Sequence, residues 1–86
     1  MYYVYIVECS DRTFYSGYTD NVERRIHTHN IGKGAKYTKS RLPVTLRYFE
    51  ECETKSDALK REAAIKKLPR FQKAELIKEF EKGHEN

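Results

Sequence analysis

The residue types that could do chemistry here are few, and they come from separate stretches of the chain. Glu62 falls within an apolar arc of Ala58, Leu59, Ala63 and Ile65 when its segment is wound at 100° per residue. An inward carboxylate needs a cation or a metal ion beside it. Lys66, one turn further on, offers a surface ion pair worth about 0.2–0.5 kcal/mol; a metal ligand is the second reading, and both stay open. Arg25 and His29 are one helical turn apart and share a face, whereas His27 and His29 diverge and cannot act as a metal pair. Tyr5 and Tyr15 put two phenols on neighbouring strands, an arrangement that also suits plain cross-strand packing. Lys33, Lys36, Lys39 and Arg41, with Tyr37 among them, make a glycine-bearing basic stretch suited to phosphate contact or to simple solvation.

The elements that must position these groups follow from periodicity and turn chemistry. Tyr2 to Glu8 is rich in β-branched and aromatic residues and reads as a strand. Alternation puts Val4 and Ile6 on one face and Tyr3, Tyr5 and Val7 on the other. Ser10-Asp11-Arg12 marks a turn, and Thr13 to Tyr18 is expected to return as the partner strand of a hairpin. A helix begins after Thr19-Asp20-Asn21, with Asp20 and Glu23 at capping-box spacing. It directs Val22, Ile26 and His29 inward, keeps Arg25 at the edge of that seam, turns Arg24 to solvent and ends at Asn30 and Gly32. Gly32 to Pro43 reads as a loop and Val44 to Glu50 as a third strand. Thr54 and Asp57 open a second long helix that Pro69 ends. Phe71 to Phe80 is expected as a last helix with Phe71, Ala74, Ile77 and Phe80 on its apolar stripe, and residues 81–86 as a frayed tail. The expectation is one α+β domain over residues 1–80: a small three-stranded antiparallel sheet flanked by helices, in the order β-β-α-β-α-α.

With 86 residues there is room for a single modest core. Charged residues at 35% and hydrophobic ones at 38% suit a folded domain rather than a disordered one. A net charge of +4 makes an anionic partner plausible, nucleic acid first. Cys9 and Cys52 have no C-x-x-C spacing and no histidines that would complete a zinc set, so free thiols are expected. The longest apolar run, Val4 to Val7, is far short of a bilayer, and the first residues enter a strand pattern rather than a leader. No membrane partner and a cytoplasmic location are the expectations.

Taken together, the motifs resemble a known family. Tyr3-Val4-Tyr5 is followed, ten residues after Tyr5, by Tyr15-Ser16-Gly17; Arg25 lies ten residues beyond Tyr15, His29 four further on, and Glu62 on a later helix. This pattern resembles the GIY-YIG endonucleases over nearly the whole chain, most of all the small stand-alone bacterial members related to the nuclease domain of Slx1-type structure-specific endonucleases. The resemblance implies Tyr5 as general base on the attacking water and Tyr15 as the phenol that positions water or phosphate. It implies Gly17 as the point where backbone crowds the site, Arg25 as the cation on the phosphate and His29 as an aid to proton transfer. Glu62 is implied as the ligand of one divalent cation, Mg²⁺ or Mn²⁺. Tyr3 stands where the first motif has glycine, and Ser16 where the second has isoleucine. Some members carry an asparagine beyond the metal glutamate; Asn86 is the only one here, and that role is not carried over.

The implied chemistry is coherent. A metal on Glu62 would act as Lewis acid and Arg25 as a fixed charge, and a phenol beside that cation is expected to ionise more easily than in water. Arg24, Lys33, Lys36, Lys39, Arg41 and Gly17 complete the expected nucleic-acid surface. The first reading is a metal-dependent DNA endonuclease acting on branched or single-stranded DNA rather than a defined sequence. A non-catalytic nucleic-acid-binding module is the rival, and a structural or protein-interaction domain is the third; a protein partner is left open.

Overall fold

The computed structural model describes residues 1–84. Strand β1 (Tyr2–Glu8) pairs antiparallel with β2 (Phe14–Thr19) and with β3 (Thr45–Cys52), giving the order β2-β1-β3. The central place of β1 has a plain cause. Val4, Tyr5, Ile6 and Val7 are all buried, and a strand can bury consecutive residues only where both its faces and both its edges are covered.

The two faces carry different helices. Val4, Ile6 and Tyr48 pack under α3 (Lys55–Lys66) and α4 (Arg70–Gly83) through Ala58, Ile65 and Ile77. Tyr5, Val7, Cys9 and Val44 form the second cluster, against Ile26 of α1 (Val22–Asn30) and Tyr15, Leu42, Leu46 and Phe49. The split of β1 into two faces is the one that alternation predicts. Cys9 lies in the second cluster and Cys52 packs against the first, and both are free thiols.

Local chemistry explains the boundaries and corrects some of them. The hairpin turns through Arg12 at φ +70, with Asp11 Oδ1 accepting from Thr13 N–H (3.1 Å) and from its hydroxyl (2.6 Å). Thr13 is thereby held in the turn, and β2 starts one residue later than alternation suggests. The cap of α1 is Asn21, not Asp20: Asn21 Oδ1 accepts from Arg24 N–H at 3.0 Å, while Asp20 pairs with the Arg24 guanidinium at 2.8 Å. At the other end Gly32 sits at φ +80, its N–H donating to His29 O and that of Lys33 to Thr28 O, the double bond that stops a helix in a Schellman turn. Thr54 caps α3 through Asp57 N–H, as its spacing predicts.

Four further expectations change. The segment after Gly32 is not wholly a loop: Lys36–Lys39 forms one helical turn, α2, with Thr38 buried. On α3 the buried arc is narrower than the wheel suggests, since Leu59 and Ala63 are exposed and only Ala58 and Ile65 are fully buried. On α4 the inner stripe is Leu76, Ile77 and Phe80, and Phe71 is 68% exposed. The helix also runs past Phe80 to Gly83, because Phe80 packs on Tyr48 and Phe49 while Glu81 reaches Arg47 at 3.2 Å. Of the expected tail, Glu85 and Asn86 lie outside the described residues.

Candidate active site

Tyr5 stands opposite Gly17 in the β1–β2 register. Its ring does not stand clear of the sheet but lies across β2 at that glycine. A Cβ built on Gly17 would come within 2.5 Å of Tyr5 Oη and 2.7 Å of Cζ. Glycine is required here because an aromatic ring occupies the space of its side chain. Gly17→Ala would ordinarily stabilise a strand; here it is expected to destabilise the protein by about 1–3 kcal/mol. Urea denaturation checks this, and an alanine variant as stable as the parent would mean the ring does not lie over β2.

The ring delivers its hydroxyl to α1. Tyr5 Oη is 2.8 Å from His29 Nε2, and Arg25 Nε donates to the same oxygen at 3.4 Å. On its far side His29 Nδ1 is 2.9 Å from Thr38 Oγ1, which in turn donates to Ala35 O at 2.9 Å. Tyr5, His29 and Thr38 are all essentially inaccessible to solvent. The i,i+4 spacing of Arg25 and His29 thus aims a guanidinium and an imidazole at one phenol.

Burial decides the protonation states. It raises the Tyr5 pKa above 10.0, outweighing the hydrogen bond and charge of Arg25, which pull the other way. The expectation that Arg25 makes the phenol easy to ionise is therefore corrected: the cation is present, but its effect is smaller than the cost of a buried phenolate. The same burial, helped by Arg25, lowers His29 below 6.5 and keeps its imidazole neutral at pH 7. A neutral imidazole against a protonated phenol is a base held on an acid.

Tyr15 packs edge-on to His29, with ring centroids 5.6 Å apart, and stacks on Tyr37 at 5.9 Å. Lys66 Nζ lies 5.9 Å from the Tyr15 ring centre and 3.7 Å from Glu62 Oε1. The Glu62 side chain is only 16% exposed, and its charge is close enough to Tyr5 to contribute to the raised pKa. Tyr5, Gly17, Arg25, His29 and Tyr15 are thus in mutual contact, and Glu62 is joined to them by its charge on Tyr5 and through Lys66. Two surface grooves, of about 270 and 500 Å³, lie elsewhere, lined in part by Glu8, Arg12 and Arg47 and by Tyr3, Glu23 and Phe49.

The profile of the GIY-YIG catalytic domain matches residues 1–82. The chain belongs to the GIY-YIG family. It is 58% identical to a UPF0213 protein of Staphylococcus haemolyticus over 78 residues, which cover 91% of this chain and 95% of that one. It is 55% identical to a UPF0213 protein of Halobacterium salinarum over 77 residues, 90% of this chain and all of the other. The solution NMR structure of a protein from E. faecalis superimposes with TM-score 0.62 at 46% identity, covering 99% of this chain and 91% of that one. That of a UPF0213 protein from Bacillus halodurans gives 0.58 at 44% identity, covering 91% and 84%. The coverages are high on both sides, so the likeness extends over the whole unit.

The expected nucleic-acid residues are placed less uniformly in this GIY-YIG domain. Lys33, Lys36 and Lys39 are exposed, as is Arg24, which pairs with Asp20. Arg41 is held within the fold: Nε on Asp11 at 3.0 Å, Nη1 on Tyr37 O at 2.7 Å, and its guanidinium 3.9 Å over the Tyr37 ring. Residue-by-residue reading also passes over Thr38, Gly34 and Asn30. Asn30 clamps both backbone groups of Val44, at 2.7 and 3.0 Å, and so ties the end of α1 to the start of β3. The one local signal for Gly34 is a pair of glycines bracketing Lys33 just after His29, a pattern suited to close backbone approach.

No group of three or more His, Cys, Asp or Glu side chains among the described residues could hold a metal ion by itself. A single buried-edge carboxylate still fits Mg²⁺ or Mn²⁺. Such ions are commonly held by one or two carboxylates, with waters and substrate phosphate as the other ligands. Among the described residues no helix is long and apolar enough to cross a membrane.

Proposed function

We propose that this GIY-YIG domain is an endonuclease that hydrolyses DNA phosphodiester bonds, with Tyr5 and His29 acting together as the base. The observation that carries the reading is the 2.8 Å contact of a buried phenol with a buried neutral imidazole, with Arg25 on the same oxygen. A pure binding surface has no use for such a pair.

The pKa directions argue for a concerted step. A free phenolate is disfavoured at Tyr5 and an imidazolium at His29, so neither forms ahead of the reaction. As a water oxygen attacks phosphorus, its proton passes to Tyr5 Oη while the phenol proton passes to His29 Nε2. The P–O3′ bond breaks, the 3′ oxygen takes a proton from solvent, His29 returns its proton through Tyr5 to solvent, and the products end in 5′-phosphate and 3′-hydroxyl. Arg25 meets the charge that develops on the phosphate, and Tyr15 orients the attacking water or the phosphate. Glu62 would hold the divalent cation, whose chemistry is Lewis-acid stabilisation of the phosphoryl oxygens. Lys66 Nζ lies 3.7 Å from the same carboxylate.

The test is direct. Purified protein with Mg²⁺ or Mn²⁺ should nick duplex, single-stranded or branched DNA, branched substrates best, and chelation should stop it. Binding without cutting on all three forms and with both metals would leave a nucleic-acid-binding module instead.

Exposed cations are expected to supply sequence-independent affinity. Replacing Lys33 and Lys36 with alanine should reduce the slope of log K against log salt by about one to two units, since each phosphate contact contributes about 0.9. Arg41 is left out of this set because Asp11 and Tyr37 already hold it. An unchanged slope would move the DNA surface away from this segment.

A further inference from the structure

We propose that Thr38 is a positioning residue that fixes the tautomer of His29, with Gly34 providing the close backbone wall that makes the contact possible. The inference rests on the reading of Tyr5 and His29 as the reacting pair and goes one step behind it, to what sets the direction of the hydrogen bonds.

The argument is one of counting hydrogens. Ala35 O is a carbonyl and can only accept, so the single Thr38 hydroxyl hydrogen is directed to it at 2.9 Å. The lone pairs of Thr38 Oγ1 then face His29 Nδ1 at 2.9 Å, and that nitrogen must carry the imidazole proton. In a neutral ring Nε2 is left bare, and Tyr5 O–H donates to it at 2.8 Å. Every bond in the row therefore runs one way: Arg25 to Tyr5, Tyr5 to His29, His29 to Thr38, Thr38 to Ala35. In the opposite tautomer Nε2 would donate to Tyr5 Oη, and the imidazole could not accept the phenol proton.

The packing around this row leaves no freedom. His29 and Thr38 are both fully buried. A Cβ built on Gly34 would stand 2.3 Å from His29 Nδ1 and 2.8 Å from His29 Cα, so a side chain there would force the imidazole or its backbone to move. The single turn Lys36–Lys39 exists in a stretch of loop composition and brings Thr38 back over α1. Water, which could serve either tautomer equally well, has no access to Nδ1, so Thr38 alone decides between them.

The experiment reads the tautomer and the reaction separately. Long-range ¹⁵N–¹H correlation spectra of the ¹⁵N-labelled protein, with His29 assigned by the loss of its signals in His29→Gln, should show protonated Nδ1 and bare Nε2 in the wild type. This arm uses no DNA, so it tests Thr38 even if no nuclease activity is found. Thr38→Val keeps the shape and removes the acceptor. It should move His29 toward the Nε2–H tautomer and lower kcat by about 10–100-fold, the span found on removing the partner that fixes the tautomer of a metal-bound histidine, with little change in KM. Thr38→Ser should restore both. A wild-type ring protonated on Nε2 overturns the proposal, as does a valine variant with wild-type kcat. It is also overturned if valine and serine variants lose activity alike with the tautomer unchanged, since Thr38 would then act by packing alone. Should the valine variant not fold, the wild-type spectrum and the serine variant decide on the same criteria.

Discussion

Tyr5→Phe is expected to lower the rate of DNA nicking by about 10²–10⁴-fold, the span associated with removing a general base. DNA affinity should stay close to that of the wild type, because Tyr5 is only 1% exposed and contributes little to the surface that meets DNA. The fold should survive: the ring still fills the space over Gly17, and the contacts of its hydroxyl with His29 and Arg25 are lost, a cost of about 1–3 kcal/mol. The pH dependence has a definite sign. His29 accepts a proton only when neutral, and its pKa lies below 6.5 through burial first and Arg25 second. Tyr5 from β1, Tyr15 from β2 and Thr38 from α2 also face the ring. The rate should hold on the alkaline side of 6.5 and fall as pH drops through the lowered His29 pKa. Stability follows the same direction: below 6.5 the unfolded chain takes up a proton that folded His29 resists, so the His29 contribution is full above 6.5 and lost as pH falls. Tyr5, raised above 10.0, contributes at the other end, and its share is lost as pH rises past 10.0. A phenylalanine variant that nicks at the wild-type rate would remove Tyr5 from the mechanism, and it must be purified in parallel to exclude a contaminating nuclease.

The second large effect is expected at Glu62. Glu62→Gln keeps the shape and removes the charge, and metal-dependent nicking should fall by about a hundredfold or more, since metal stabilisation of a phosphoryl oxygen is worth several kcal/mol. The protein should remain folded, because among the described residues its one ion pair is with Lys66 at 3.7 Å, an i,i+4 contact worth about 0.2–0.5 kcal/mol. The measurement is nicking rate against Mg²⁺ and Mn²⁺ concentration for both proteins, with thermal unfolding as the control. If the glutamine variant responds to metal as the wild type does, Glu62 is not the ligand.

Much of this GIY-YIG domain is legible along the chain, for physical reasons that are local. Alternation in Tyr2–Glu8 is set by the pleat, so the two faces of β1 and the inward aim of Tyr5 follow from it. Glycine at position 32 and threonine at position 54 mark helix ends because backbone groups there need a partner within a few residues. The shared face of Arg25 and His29 is likewise a consequence of helical pitch. Where two neighbouring residues offer the same cap, as Asp20 and Asn21 do, residue type alone does not choose; Asn21 takes the Arg24 N–H while Asp20 pairs with the Arg24 guanidinium.

Other features depend on contacts between residues far apart, and the chain alone is silent on them. The apolar arc on α3 looks broader in the sequence than it is, because composition does not tell which apolar residues another element will cover; Leu59 stays 42% exposed. The single turn at Lys36–Lys39 is held by Thr38 against His29, nine residues away, and by Arg41 reaching Asp11 across thirty. The ionisation of Tyr5 is the sharpest case. From the sequence, a cation near a phenol argues for a lowered pKa, yet the fold buries that phenol so completely that desolvation wins. Residue types and spacing thus determined the family pattern and the strand faces. Depth of burial and the contacts of Tyr5 with His29 and of His29 with Thr38 exist only once β1, β2, α1 and α2 close around them.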